Sequence, residues 1–226
     1  MQAMTLSKKA EATRQHILDT GYQLVLHKGF AALGLQEILK SCNVPKGSFY
    51  HYFPSKEAFG CELLQQYVDG YGRKLEGLLA AEGNGCERLM RYWDAWIAAP
   101  HDAACGWAEE CLVVKLAAEV ADLSEDMRRV LDTGVQRLLA RIAALIDAAR
   151  ADASLPAGAP SQALARVLYQ MWLGAALLAK LSQDKTSLVQ ARETTVLLLT
   201  CDAARATHAQ AAHTRAAQSP SSIPHP

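Results

Sequence analysis

Residues 44–56 read V-P-K-G-S-F-Y-H-Y-F-P-S-K, and this stretch decides the fold. Proline, lysine and glycine lead into a short helix, and rings crowd residues 49–53. Phe49 and Phe53 stand four apart, on one helical face, and are assigned to a core. The other side carries Lys46, Gly47, Ser48, Tyr50 and His51, which are small, basic or hydrogen-bonding groups. An enzyme has no obvious use for such a run, whereas a helix lying in a DNA groove does. Lys46 can take a phosphate or a guanine edge, and Ser48 a base or a phosphate. Gly47 lets the backbone approach the duplex closely. Tyr50 and His51 offer donors and flat apolar faces. If these residues merely closed a small helical domain, the outward donors would have no use.

The flanks complete a motif. From Thr13 to Gly29 the apolar residues Ile17, Leu18, Gly21, Leu24 and Val25 recur at helical spacing, and Gly29 is a natural stop. Residues 35–40 give a second short helix with Leu35, Ile38 and Leu39 inward. Cys42, Asn43 and Val44 make a tight turn, and Pro45 sits near the first position of the third helix, where its missing N–H is harmless. Helix, short helix, turn, short helix is the helix-turn-helix arrangement. Ser55 is a candidate N-cap for a fourth helix, with Glu57 in its first turn. Lys56, beside that helix N-terminus, suits a phosphate contact.

A length of 226 residues accommodates one small and one larger domain, and half of the residues are hydrophobic. The formal net charge is zero, but residues 1–60 hold seven Lys or Arg against four acids, so a basic head sits on an acidic body. Binding to nucleic acid is expected to weaken with salt. No signal peptide and no long apolar run appear, so a cytoplasmic protein without a membrane partner is expected. The six cysteines show no C-x-x-C and no zinc-finger spacing, so neither metal nor cofactor is expected.

The remainder reads as helices. Residues 59–81 continue the fourth, and Gly83-Asn84-Gly85 breaks it. Residues 87–99 are amphipathic, 100–106 form a loop, and Trp107–Val120 reads as one apolar helix. Ser124 caps another that runs to about Arg150. After a linker at 151–160, residues 162–181 and 188–204 form a last pair with wide apolar faces, a candidate interface between two copies. Gly174, Ala175 and Ala179 would allow close helix approach there. The expected domains are 1–57 for DNA binding, with 1–10 a flexible arm, then 58–205 for sensing and dimerisation, and 206–226 a disordered tail.

Residues 13–60 resemble the DNA-binding domain of the TetR family of transcriptional regulators. The likeness lies in Gly29-Phe30, Val44–Tyr50, Tyr52-Phe53 and Ser55-Lys56-Glu57. It implies an all-α fold of about nine helices, working as a homodimer on double-stranded operator DNA. Lys46, Gly47, Ser48, Tyr50, His51, Tyr52 and Lys56 are read as the DNA-contacting set. One departure is that Leu33-Gly34-Leu35 stands where the family often has a hydroxyl cap on the second helix.

Cys111 and Lys180 are the candidate sensing residues. Lys115, one helical turn from Cys111, would favour the reactive thiolate, whereas Glu109 and Glu110 would oppose it. By residue type alone Cys111 reads first as a buried core thiol, and Lys180 as a helix edge. Residues 111–127 and 172–182 resemble a subgroup of TetR repressors that responds to reactive electrophiles and oxidants. The likeness implies that Cys111 senses and that Lys180 is linked to it. Cys105 adds a second thiol, able to shift reactivity or to pair with Cys111. Two other readings stand beside this one. A reversible small ligand could bind among Trp93, Trp96, Trp107 and Trp172, which otherwise fill the core. A thiol enzyme using Cys111 with His101 lacks a nucleophile motif, so no enzyme is expected.

Overall fold

The structure is a computed structural model that describes residues 8–98 and 105–199. Eight helices are α1 (Lys8–Lys28), α2 (Leu35–Cys42), α3 (Lys46–Tyr52), α4 (Lys56–Leu79), α5 (Gly85–Ile97), α6 (Leu112–Leu123), α7 (Glu125–Ala151) and α8 (Ser161–Ser182). A ninth, α9, spans 186–199, and no strand occurs among the described residues. The fold is all-α, as the sequence implied. The tail expected to be disordered, Cys201, His101 and most of the 100–106 loop fall outside the described residues.

Local signals set most boundaries. Gly29 ends α1 at φ 85°, a left-handed conformation that suits glycine, and its N–H bonds to the Val25 carbonyl at 2.9 Å. Asn43, at φ 53°, closes α2, and the Val44 N–H reaches back to the Leu39 carbonyl. Pro45 is the N-cap of α3, one residue before the position expected for it. Ser55 accepts the Ala58 N–H at 2.9 Å at the head of α4, and Ser124 accepts the Met127 N–H at the head of α7. Asn84 and Glu87 form a reciprocal capping box on α5.

Two boundaries differ from expectation. Helix α1 starts at Lys8, so residues 8–10 of the expected flexible arm are helical, with Glu11 in the favourable first turn. The expected helix from Trp107 is broken. Residues 107–110 form a turn, and α6 starts after Cys111, which is its N-cap. Apolar composition suggested a continuous helix, but no Ser, Thr, Asp or Asn marks the true start.

The chain packs as two compact units, Met1–Leu78 with Trp107–Leu138, and Leu79–Gly106 with Leu139–Pro226. In the first, the helix-turn-helix residues Ile17, Phe49 and Phe59 share one core with Leu112 and Leu116 of α6 and Met127 of α7. Phe49, Phe53 and Phe59 pack ring to ring at 5.2–5.5 Å between centroids. Gly21 lets α1 close on α4, because a Cβ there would lie 2.3 Å from the Phe59 ring.

The second unit is built on an aromatic cluster. Trp93 and Trp172 stack at 4.9 Å and 14°, and Trp96 meets Trp172 edge-on at 6.0 Å. The Trp172 indole N–H donates to the Thr195 hydroxyl at 2.9 Å, tying α8 to α9. These three tryptophans are fully buried, so they are core and not the lining of an open pocket. Around this cluster α8 and α9 leave Val167, Leu177, Leu178, Leu181, Val196 and Leu197 exposed. Ala175, expected at a contact between copies, is instead buried within its own unit, whereas Gly174 faces open space. Helix α8 is long and apolar enough to cross a membrane by composition, but its buried residues, Leu168 and Trp172 among them, serve this core.

Candidate DNA-binding and sensing sites

Helix α3 presents its expected face. Phe49 is buried, while Lys46, Gly47 and His51 are exposed and Tyr50 keeps 45% of its surface open. The Lys46 ammonium lies 5.9 Å from the Tyr50 ring centroid, a cation–π contact that restrains both outward groups. Ser48 and Tyr52 are half-buried, and the Tyr52 ring meets His51 edge-on at 5.0 Å. Lys56 differs from its expected pose. Its ammonium donates to the Phe30 carbonyl at 3.0 Å and sits 4.7 Å from the Phe30 ring, and burial lowers its pKa. A phosphate at this helix end would meet backbone N–H groups sooner than the Lys56 side chain. Gly34, the N-cap of α2, supplies no side-chain cap, in keeping with the departure seen in the sequence.

Gly47 is informative because nothing in the protein requires it. A Cβ at this position would meet no atom within 4 Å. This open side leaves room for an outside partner to approach the backbone, as expected for a groove-facing residue. Gly47→Ala is expected to raise stability by about 0.5–1 kcal/mol and to weaken operator binding about tenfold, since a tight contact of this kind is worth roughly 1.4 kcal/mol. A urea melt and a DNA titration check the two halves. Unchanged DNA affinity would remove the close-approach role.

Cys111 is buried, with 4% of its surface exposed. The Tyr67 hydroxyl donates to its sulfur at 3.9 Å and accepts the Leu112 N–H at 3.3 Å, so one phenol bridges the thiol and the first turn of α6. Lys115, one helical turn from Cys111, donates from its ammonium to the His27 carbonyl at 3.3 Å. Tyr22 is also close. Burial, aided by Glu110 and Cys111, pushes its phenol up to about 12. Three other thiols, Cys42, Cys61 and Cys86, are pushed up chiefly by burial, which disfavours their reactive form.

Helix α6 is fastened to the head. Glu119 accepts the Ala31 N–H through a short hydrogen bond, and its other oxygen lies against Gly29. With Lys115 on His27, two side chains of α6 grip the corner between α1 and α2. Nothing local in the sequence signals these contacts, because both partners lie 88 residues away.

Cys105 and Lys180 belong to the second unit and Cys111 to the first. Cys105 is half-buried, with its thiol 3.8 Å from the Gly106 carbonyl, and Cys105 and Cys111 are both thiols. Lys180 is exposed in the last turn of α8, where a positive charge complements the helix dipole. This is the helix-edge position that its residue type allowed in the sequence.

A helix-turn-helix with an outward basic and hydroxyl face, backed by a helical body, defines a DNA-binding regulator. Residues 17–59 match the family described as bacterial regulatory proteins, tetR family, and residues 85–195 match the tetracyclin repressor-like C-terminal domain. The HTH-type transcriptional repressor NemR of Escherichia coli K12 is 45% identical over 176 residues, covering 76% of this chain and 86% of NemR. The transcriptional regulator AcuR of Cereibacter sphaeroides is 34% identical over 172 residues, covering 76% of this chain and 78% of AcuR. The crystal structure of E. coli NemR in its reduced form superimposes with a TM-score of 0.74 at 42% identity, covering 81% of this chain and 95% of that one. The chain belongs to the TetR family of transcriptional regulators. It is a regulator and not an enzyme, which removes the reading of Cys111 as a catalytic nucleophile.

Proposed function

We propose that this chain is a homodimeric, cytoplasmic transcriptional repressor that holds operator DNA while Cys111 is a thiol. Modification of Cys111 by an electrophile or oxidant releases the DNA. The observation that carries this reading is the position of Cys111 at the start of α6, the helix gripped to the α1–α2 corner through Lys115 and Glu119. An adduct on a buried sulfur must displace the first turn of α6. That displacement acts on the head through the same two side chains and changes the presentation of α3. The likeness of residues 111–127 and 172–182 to electrophile-responsive repressors, and the 45% identity to the repressor NemR, support the same reading.

The linked role of Lys180, and any part for Cys105, rests on the resemblance. After oxidation to a sulfenic acid, the Lys180 amine would attack sulfur and expel water, forming a sulfur–nitrogen bond. The alternative of a reversible apolar ligand loses Trp93, Trp96 and Trp172 as lining, since they pack on one another.

The direct test uses purified protein on its operator. N-Ethylmaleimide is expected to release the DNA with one-to-one labelling of Cys111 by mass mapping. Release without labelling at Cys111 would refute the proposal. The grip is tested separately. Glu119→Ala should leave the labelling rate of Cys111 unchanged and make release about tenfold less sensitive, as expected when a coupling of roughly 1.4 kcal/mol is lost.

A further inference from the structure

A cleft of about 330 Å³ lies wholly within the first unit, lined by α1, α4 and the turn before α6. Most of its lining is polar or charged, and most of those groups are already engaged. Asp19 accepts from the Gln66 amide at 2.9 Å and from the Gln15 amide at 2.7 Å. Lys74 pairs with Glu110 at 3.2 Å. Arg73 is left as the lining charge without an ion pair among the described residues. Its guanidinium folds back over Gly70, where a Cβ would stand 3.9 Å from Nη2. A cleft whose acids are occupied and whose guanidinium is not favours an anion, and the guanidinium fork matches a carboxylate.

The apolar part of the lining is flat. Tyr71 and Trp107 meet edge-on at 5.4 Å, and Trp107 alone of the four tryptophans lines this cleft. Such faces pack well on an aromatic ring. The volume lies at the lower end of ligand pockets, which run from roughly 300 to 1,000 Å³, so it suits one ring. The Tyr22 phenol, pushed up to about 12 chiefly by burial, stays protonated and keeps a donor at the lining.

We infer that this cleft is a reversible binding site for single-ring aromatic carboxylates, with the carboxylate on Arg73 and the ring against Tyr71 and Trp107. No bond is made or broken on binding. Cys111 is not part of the lining, and the inference does not rest on a sensing role for that thiol. An aliphatic acid would lack the flat face. The neutral amide of the same shape would lack the charge that Arg73 selects.

The test is calorimetric titration of the full chain with benzoate, benzamide and cyclohexanecarboxylate. Benzoate should bind with one site per chain, and the other two should bind about tenfold more weakly, as expected when a charge-assisted pair or the ring packing is lost. Arg73 is exposed, so Arg73→Gln should fold normally and weaken benzoate about tenfold. Gly70→Leu fills the cleft and should abolish binding. Its Cβ would be in ordinary contact with the end of the Arg73 side chain, so the fold accommodates it. Cys111→Ser should bind benzoate as the unaltered protein does. Absence of benzoate binding at millimolar concentration, equal affinity for benzamide, or unchanged affinity in Arg73→Gln or Gly70→Leu would overturn the site. Loss of binding in Cys111→Ser would place the ligand at the thiol and overturn it equally.

Discussion

Cys111→Ser is expected to bind operator with unchanged affinity and to lose its release by N-ethylmaleimide and by hypochlorite. The hydroxyl replaces the thiol with little change of volume, and the Tyr67 bridge to the Leu112 N–H can persist, so the resting state is preserved. The response should fall by about 100-fold, equivalent to a coupling of about 3 kcal/mol. Lys180→Met separates two routes in the same assay. It should blunt the hypochlorite response more than the N-ethylmaleimide response, because alkylation needs only the thiolate. The measurement is operator occupancy against reagent concentration, with labelling at each cysteine followed by mass. If Cys111→Ser still releases DNA normally under both reagents, sensing passes to Cys105 or to a reversible ligand.

The pair Leu181→Glu and Leu197→Glu should convert the protein to a monomer and lower operator affinity by at least 100-fold. Both side chains are strongly exposed, at 74% and 60%, on helices whose other faces are buried around Trp172. Apolar residues exposed on both helices fit a surface that the proposed dimer would cover. Charges placed there should spare the protomer fold, which circular dichroism would verify. Affinity falls because two heads joined in one dimer bind two half-sites at high effective concentration, and a monomer does not. Sedimentation checks the outcome, and a stable dimer of the double variant would place the interface elsewhere. A charge at Ala175 is a poor test, since that side chain is buried in its own unit and the variant would fail by unfolding.

Much of the head was legible from local chemistry. Gly29, Asn43, Pro45 and Ser55 each mark a turn or cap through their own backbone or side-chain preferences, and Phe49 and Phe53 are inward because four residues span about one helical turn. These signals act within a few positions and hold whatever the rest of the chain does. The same logic located the helix breaks at Gly83–Gly85 and the cap at Ser124.

The body was legible only in outline. Tryptophan is apolar enough for a core and amphipathic enough for a pocket, so the role of Trp93, Trp96 and Trp172 awaited knowledge of which helices meet. The start of α6 was misplaced for a related reason. Residues 107–110 have a helix-compatible composition, but Trp107 is held against Tyr71 and the Leu112 N–H is taken by Tyr67, both partners distant in the chain. Helical spacing places Lys115 one turn from Cys111, but the His27 carbonyl that its ammonium reaches lies 88 residues away in the chain. What the sequence by itself determined is the helix-turn-helix, its caps and its outward basic face, because these follow from contacts within one or two turns. What only the tertiary structure decided is the grip of α6 on the head and the packing of Trp93, Trp96 and Trp172 into one buried cluster. Both are made by side chains that local periodicity never brings together.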